Sequence, residues 1–249
     1  MDLVERNGDG ARRHPWEAAR ARFFLSLLRA HRLLETGADW LDVGAGDAWF
    51  AAQLRRLVPP ASTVTCWDIN YSADDLAAGN GSGVALVSER PATRFDCVLM
   101  LDVVEHVEDD GDFVGSLVQD LLVERGVVLV AVPAYQALFS SHDRTLRHYR
   151  RYSPTQCRRL LERSGLTVRA DGGLFHSLLL PRLAQILYER VRPATRPSKG
   201  IGDWRRGELT TNVLTRALVA EGELSLSLSR RGVVLPGLSY WALCDYRTV

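Results

Sequence analysis

Leu41-Asp42-Val43-Gly44-Ala45-Gly46-Asp47-Ala48 decides how the rest of the 249-residue chain is read. Apolar residues 40–43 read as a short strand that stops at a glycine. A helical pattern then runs over 47–58 and ends at Pro59-Pro60. Glycine reaches positive φ at little cost and lets a ligand approach the backbone closely. A helix start behind such a turn leaves N–H groups open. A glycine pair alone is weak evidence, since an ordinary strand-to-helix turn uses the same residues.

Reading outward, strand and helix signals alternate. Residues 63–67 are β-branched and end at Asp68, and 83–87, 95–101 and 126–132 read as further strands. A helix is expected near 112–122. Ser153-Pro154 opens another through Leu161, with proline at its first position and Gly165 closing it. Strand character resumes at 167–170, and 239–247 is an aromatic-rich final strand. Upstream, apolar residues recur at helical spacing from Pro15 to about Leu34. This alternation predicts a parallel sheet with helices on both faces, whose ligands bind beyond the carboxyl ends of the strands.

Asp68 sharpens the expectation. A carboxylate at the tip of the second strand, about 20 residues past a glycine turn, can accept two hydrogen bonds from a ribose. The third position of a dinucleotide-type glycine motif is Trp49, too large for the tight helix–strand packing that supports a pyrophosphate. A nucleoside without a pyrophosphate fits better, and a nicotinamide-dependent oxidoreductase is disfavoured.

Asp42-Val43-Gly44-Ala45-Gly46 resembles the glycine motif of class I S-adenosylmethionine-dependent methyltransferases, and Asp68 is similar to their ribose-binding acid. Residues 95–107, FDCVLMLDVVEHV, resemble their fourth-strand motif. The resemblance covers about 40–170 and the final strand. It implies a Rossmann-like α/β fold: a seven-stranded, mostly parallel sheet with the last strand antiparallel. It also implies helices on both faces and a helical insertion before the last strand. S-adenosylmethionine is the implied cofactor and S-adenosylhomocysteine the product. The implied cofactor residues are Asp42, Gly44, Ala45, Gly46, Asp68, Ile69, Asp102 and Val103. The stretch Ser88-Glu89-Arg90 lacks the acid that often meets the adenine, so no adenine contact is assigned.

Methyl transfer from a sulfonium mainly requires alignment, and a base only where the acceptor keeps its proton. Residues 141–153, SHDRTLRHYRRYS, leave the carboxyl edge of the sheet, where an acceptor would sit. His142, Asp143 and His148 are the catalytic candidates. His106, Asp143 and His148 are an alternative metal set that spacing cannot establish, so no metal is assigned. Helix capping by the same residues is the bland alternative. Six arginines and no acid over 144–159 suit either an anionic acceptor group or structural ion pairs. His14 and Arg20 are candidates to meet the cofactor carboxylate, and Trp16 reads as packing.

One domain is expected over 1–249. A cap helix occupies 1–36, a cofactor-binding core 37–174, a helical insertion or acceptor lid 175–235, and a final strand 236–249. The insertion reads as two helices around a loop containing Pro193, Pro197, Gly200 and Gly202. Its apolar wall and basic rim suit a small-molecule or lipid-like acceptor, at most a peripheral membrane contact, and a homodimer surface. Net charge is +1, so no bulk field favours nucleic acid. Four cysteines without a CxxC pair read as buried thiols, and residues 1–20 lack an apolar signal core. A cytoplasmic location is expected. O-methylation of a small acceptor is favoured slightly over C- or N-methylation. The rival readings are a non-catalytic scaffold that keeps the fold, and a nucleic-acid methyltransferase.

Overall fold

The computed structural model describes residues 13–79, 83–191 and 207–246. The terminus before Arg13, the loop expected around 193–202 and Arg247 lie outside the described residues.

Seven strands form one sheet: β1 (Asp39–Val43), β2 (Thr63–Trp67), β3 (Ala85–Val87), β4 (Phe95–Leu101), β5 (Leu122–Pro133), β6 (Leu166–Leu174) and β7 (Ser239–Tyr246). Their order is β3-β2-β1-β4-β5-β7-β6. Every pairing is parallel except those of β7, which runs antiparallel to β5 and β6. The chain winds outward from β1 to β3, then jumps to β4 on the other side of β1. That reversal opens a crevice at the tips of β1 and β4. Val43 is level with Trp67 on one side and Met100 on the other. The register therefore brings Gly44, Asp68 and Asp102 to the same edge.

The sheet is covered on both faces because its strands alternate large apolar side chains. Trp40, Leu99, Leu129 and Trp241 face one core with α1 (Pro15–Ala30) and α2 (Trp49–Arg55). Leu41, Val98, Met100, Val128 and Tyr240 face the other, with α4 (Asp110–Leu121) and α6 (Pro154–Arg163). Phe23, Phe24, Leu27 and Leu28 on α1 are buried, each contributing about 1.5–3 kcal/mol. The expected start of α6 is present: Pro154 occupies the first turn, and Ser153 and Gln156 form a reciprocal cap.

Several boundaries differ from the sequence reading. α1 ends at Ala30 rather than near Leu34; α2 starts two residues late because Ala48 adopts a left-handed backbone, and it ends at Arg55, ahead of Val58. β5 begins at Leu122, directly after α4, four residues before the apolar run that reads as strand. Two short helices, α3 (Ala73–Gly79) and α5 (Ser141–Thr145), were not anticipated; polar sequence hides them.

Between β6 and β7 lie α7 (Leu179–Val191) and α8 (Glu208–Ser229). Gly222 of α8 sits against Phe23 of α1, and Ser225 donates to the Gly173 carbonyl at 2.8 Å. A Cβ on Gly173 would lie 2.2 Å from the Leu235 carbonyl oxygen, so only glycine fits where the chain returns to β7. None of the described helices is long and apolar enough to cross a membrane.

Candidate active site

The crevice at the strand tips widens into a cavity of about 690 Å³. One end is built by the three central strands. Gly44 has φ +61°, and a Cβ there would come within 2.8 Å of Val103 Cγ2. Its N–H donates to the Trp67 carbonyl at 2.7 Å, tying the tip of β1 to that of β2. Asp68 is buried yet reaches the cavity. One carboxylate oxygen accepts the Gly46 N–H at 2.9 Å, and the other accepts the Asn70 backbone N–H at 2.9 Å and its side-chain amide at 3.2 Å. These bonds fix the carboxylate's orientation and leave lone pairs for further donors.

Of the eight expected cofactor residues, Gly44, Asp68, Ile69, Asp102 and Val103 line the cavity. Ala45, Gly46 and Asp42 stand behind this wall. Gly46 acts through Asp68. Burial in β1 pushes the Asp42 carboxyl up to about 7. Asp102 holds a left-handed backbone, φ 59°, strained for a residue with a Cβ. There it forms an ion pair with Arg20 of α1. Arg20 also lies over the Trp16 ring at 4.6 Å, and Trp16 packs on Phe175. His14 lines the cavity, but its Nδ1 accepts the Trp16 N–H and so starts α1.

The other end is built by α5, the loop after it, and α7. Asp143 is completely buried. One of its oxygens meets His148 Nδ1 at 3.1 Å and Arg151 Nε at 2.7 Å. The other accepts the Ser140 N–H at 2.9 Å, its hydroxyl at 3.1 Å and Arg182 of α7 at 2.9 Å. Burial opposes the charge, but the His148 bond and the Arg151 guanidinium hold this carboxyl well below the usual range. Helix capping and histidine support are therefore carried by the same carboxylate. His142 lines the same cavity; burial, then Arg182, lower its pKa. Three arginines of 144–159 are in structural pairs: Arg150 with Asp110, Arg151 with Asp143 and Arg158 with Asp171.

Arg182 and Glu105 are cavity residues that the sequence reading did not single out as site members. Arg182 belonged there only to the basic rim of the insertion. Glu105, in a short 3-10 turn after β4, is fully buried and pushed up by burial to about 8. It lines the cavity, and neither carboxylate oxygen has a hydrogen-bond partner.

A family described as a methyltransferase domain matches residues 11–171, nearly two thirds of the chain and all of the strand-tip site. The chain belongs to the class I S-adenosylmethionine-dependent methyltransferases. A Mycolicibacterium smegmatis protein named as a probable S-adenosylmethionine-dependent methyltransferase is 29% identical over 163 residues, covering 62% of this chain and 61% of its own. A ubiquinone biosynthesis O-methyltransferase from a Caulobacter species is 33% identical over 106 residues, covering 38% and 40%. The chain thus spans less than two thirds of either curated relative. The crystal structure of an S-adenosylmethionine-dependent methyltransferase from Mesorhizobium loti superposes with TM-score 0.55 at 16% identity, covering 90% of this chain and 97% of that one. That likeness shows the shared fold.

The strand-tip residues of this methyltransferase-family chain fit the family's cofactor. Gly44 lines the cavity without a side chain, packed against Val103 where a Cβ would collide, and Asp68 presents oriented acceptor capacity.

Proposed function

We propose that this protein transfers the methyl group of S-adenosylmethionine to a hydroxyl oxygen of a small or lipid-like acceptor, leaving S-adenosylhomocysteine. One observation carries the reading: a single cavity joins the Gly44–Asp68 tip to the Asp143–His148 pair.

The cofactor supplies a methyl group already activated by the sulfonium. The chain's own work is placement. Asp68 grips the ribose hydroxyls, Gly44 lets the amino-acid end lie close, and Ile69 and Val103 give apolar walls. Asp42, Ala45 and Gly46 hold that wall in shape, and Asp102 with Arg20 closes it toward α1. Leu146, Leu178, Pro181 and Leu238 make the acceptor side apolar. His148 activates the acceptor hydroxyl. Asp143 holds its Nδ1, which leaves Nε2 for the acceptor. His142 stands beside it as a second cavity imidazole.

The first part of the insertion acts as the acceptor-side cover, since Leu178, Pro181, Arg182 and Gln185 all line the cavity. Exposed Leu180, Leu187, Tyr188 and Val191 on α7 suit a lipid-like acceptor or a second copy of the chain. Four free, buried thiols suit a reducing cytoplasm. The O-methyltransferase relative supports oxygen as the target. The test is incubation with tritiated-methyl S-adenosylmethionine and a fractionated metabolite extract. Label in a hydroxyl-bearing product is expected. Label only at carbon or nitrogen, or none with cofactor bound, would refute O-methylation.

A further inference from the structure

Glu105 poses a physical problem. A carboxyl with no exposure and no hydrogen bond costs several kcal/mol if charged. Two cations, Arg20 and Arg151, act on it from a distance, but each is paired elsewhere, Arg20 with Asp102 and Arg151 with Asp143. Beside Glu105 stand two imidazoles, His106 and His148, in edge-to-face contact with ring centroids 4.6 Å apart. One ligand atom from each of the three residues lies within 4.8 Å of the other two. Donors about 2 Å from a common ion lie at most about 4 Å apart, so the three side chains need only a small rotation inward to share one.

We propose that Glu105, His106 and His148 form a divalent transition-metal site at the acceptor end of the cavity. Three features support it. The donor set of two imidazoles and one carboxylate favours zinc, manganese, iron or cobalt over magnesium or calcium. All three residues line the cavity, so positions on the ion not taken by the protein would be open to an acceptor there. His148 also has the support that metal-bound histidines usually have: Nδ1 on a buried carboxylate, Nε2 left for the ion. The sequence reading grouped Asp143 with His106 and His148. The geometry replaces it with Glu105, because Asp143's oxygens are engaged by Ser140, His148, Arg151 and Arg182.

The proposal rests on the O-methylation reading and changes one role in it: with Nε2 on the ion, His148 activates the acceptor by holding the metal and not by taking the proton itself. The acceptor oxygen binds the ion, its O–H proton passes to solvent, and an oxygen lone pair forms the bond to the methyl carbon. The carbon–sulfur bond breaks with its electron pair retained by sulfur. No oxidant or reductant is needed. An ion with two open positions suits an acceptor carrying two adjacent oxygens, such as a catechol or an α-hydroxy acid.

The test is a cobalt(II) titration of chelator-treated protein, read by visible absorption and calorimetry. S-adenosylmethionine binding is measured in parallel on each variant as the check of folding and of the cofactor site. One cobalt per chain is expected, displaced by zinc and not by millimolar magnesium. Glu105→Gln and, separately, His106→Gln should abolish it, Asp143→Asn should weaken it ~10–100-fold, and His142→Ala should leave it unchanged. Should one variant fail to fold, the other still decides. No stoichiometric cobalt in wild-type protein that binds the cofactor, or cobalt retained in both ligand variants, overturns the metal site while leaving the methyltransferase reading intact. Loss of cofactor binding in wild type would instead strike that reading.

Discussion

At the scale of single residues, Gly44 and Asp42 show how the strand tip is specified. Gly44→Ala forces a Cβ into Val103 at a positive φ. It should cost on the order of 1–3 kcal/mol of stability and weaken cofactor binding roughly tenfold or more. Thermal melts and calorimetry check both. For Asp42, burial raises the folded-state carboxyl to about 7, above the unfolded value near 4. The folded chain therefore holds a proton that the unfolded chain has released. Stability of the unliganded protein should fall as pH rises through that window and level off above about 7. Asp42→Asn removes this component, so urea midpoints at pH 5 and 8 should lie closer together in the variant than in wild type. Gly44, Gly46 and Asp68 were legible in the sequence because their chemistry is local: a turn, then an acid one strand later. Glu105 was not. Its isolation arises from α1, the 3-10 turn and the 141–152 segment meeting in three dimensions, and no spacing encodes that.

Elements carry the acceptor end. α5 and the loop behind it hold His148 through Asp143, and α7 clamps the same carboxylate from the opposite side with Arg182. His148→Ala should lower turnover by ~10²–10⁴-fold with cofactor affinity unchanged, measured by steady-state methyl transfer alongside calorimetry. Arg182→Ala should raise the acceptor KM, through the α7 wall, more than it lowers kcat; an equal effect on both would detach α7 from acceptor binding. The sequence announced β1, β2 and β4 well because each is an apolar run ended by glycine or aspartate. It missed the start of β5, since Glu124 and Arg125 are polar and lie in the irregular stretch between the paired residues Leu122 and Val127, where their side chains reach solvent. α5 escaped because its five residues read equally well as loop, and only the Ser140–Asp143 cap reveals it.

For the whole molecule, strand order does the organising. The reversal between β1 and β4 creates the crevice, α1 and α8 pack together beside it, and the antiparallel β7 brings Leu238 and Ser239 to its rim. The alternation of strands and helices made that architecture readable from the chain. The placement of α7 and α8 was not, because these helices are set by contacts with Asp143 and α1 rather than by local pattern. The most direct test of the account is calorimetric titration of S-adenosylmethionine into wild-type protein and into Asp68→Ala. The account predicts one site per chain in wild type and affinity lower by roughly 10–100-fold in the variant, the effect of losing charge-assisted bonds. No binding to wild type, or equal affinity in both proteins, would contradict it.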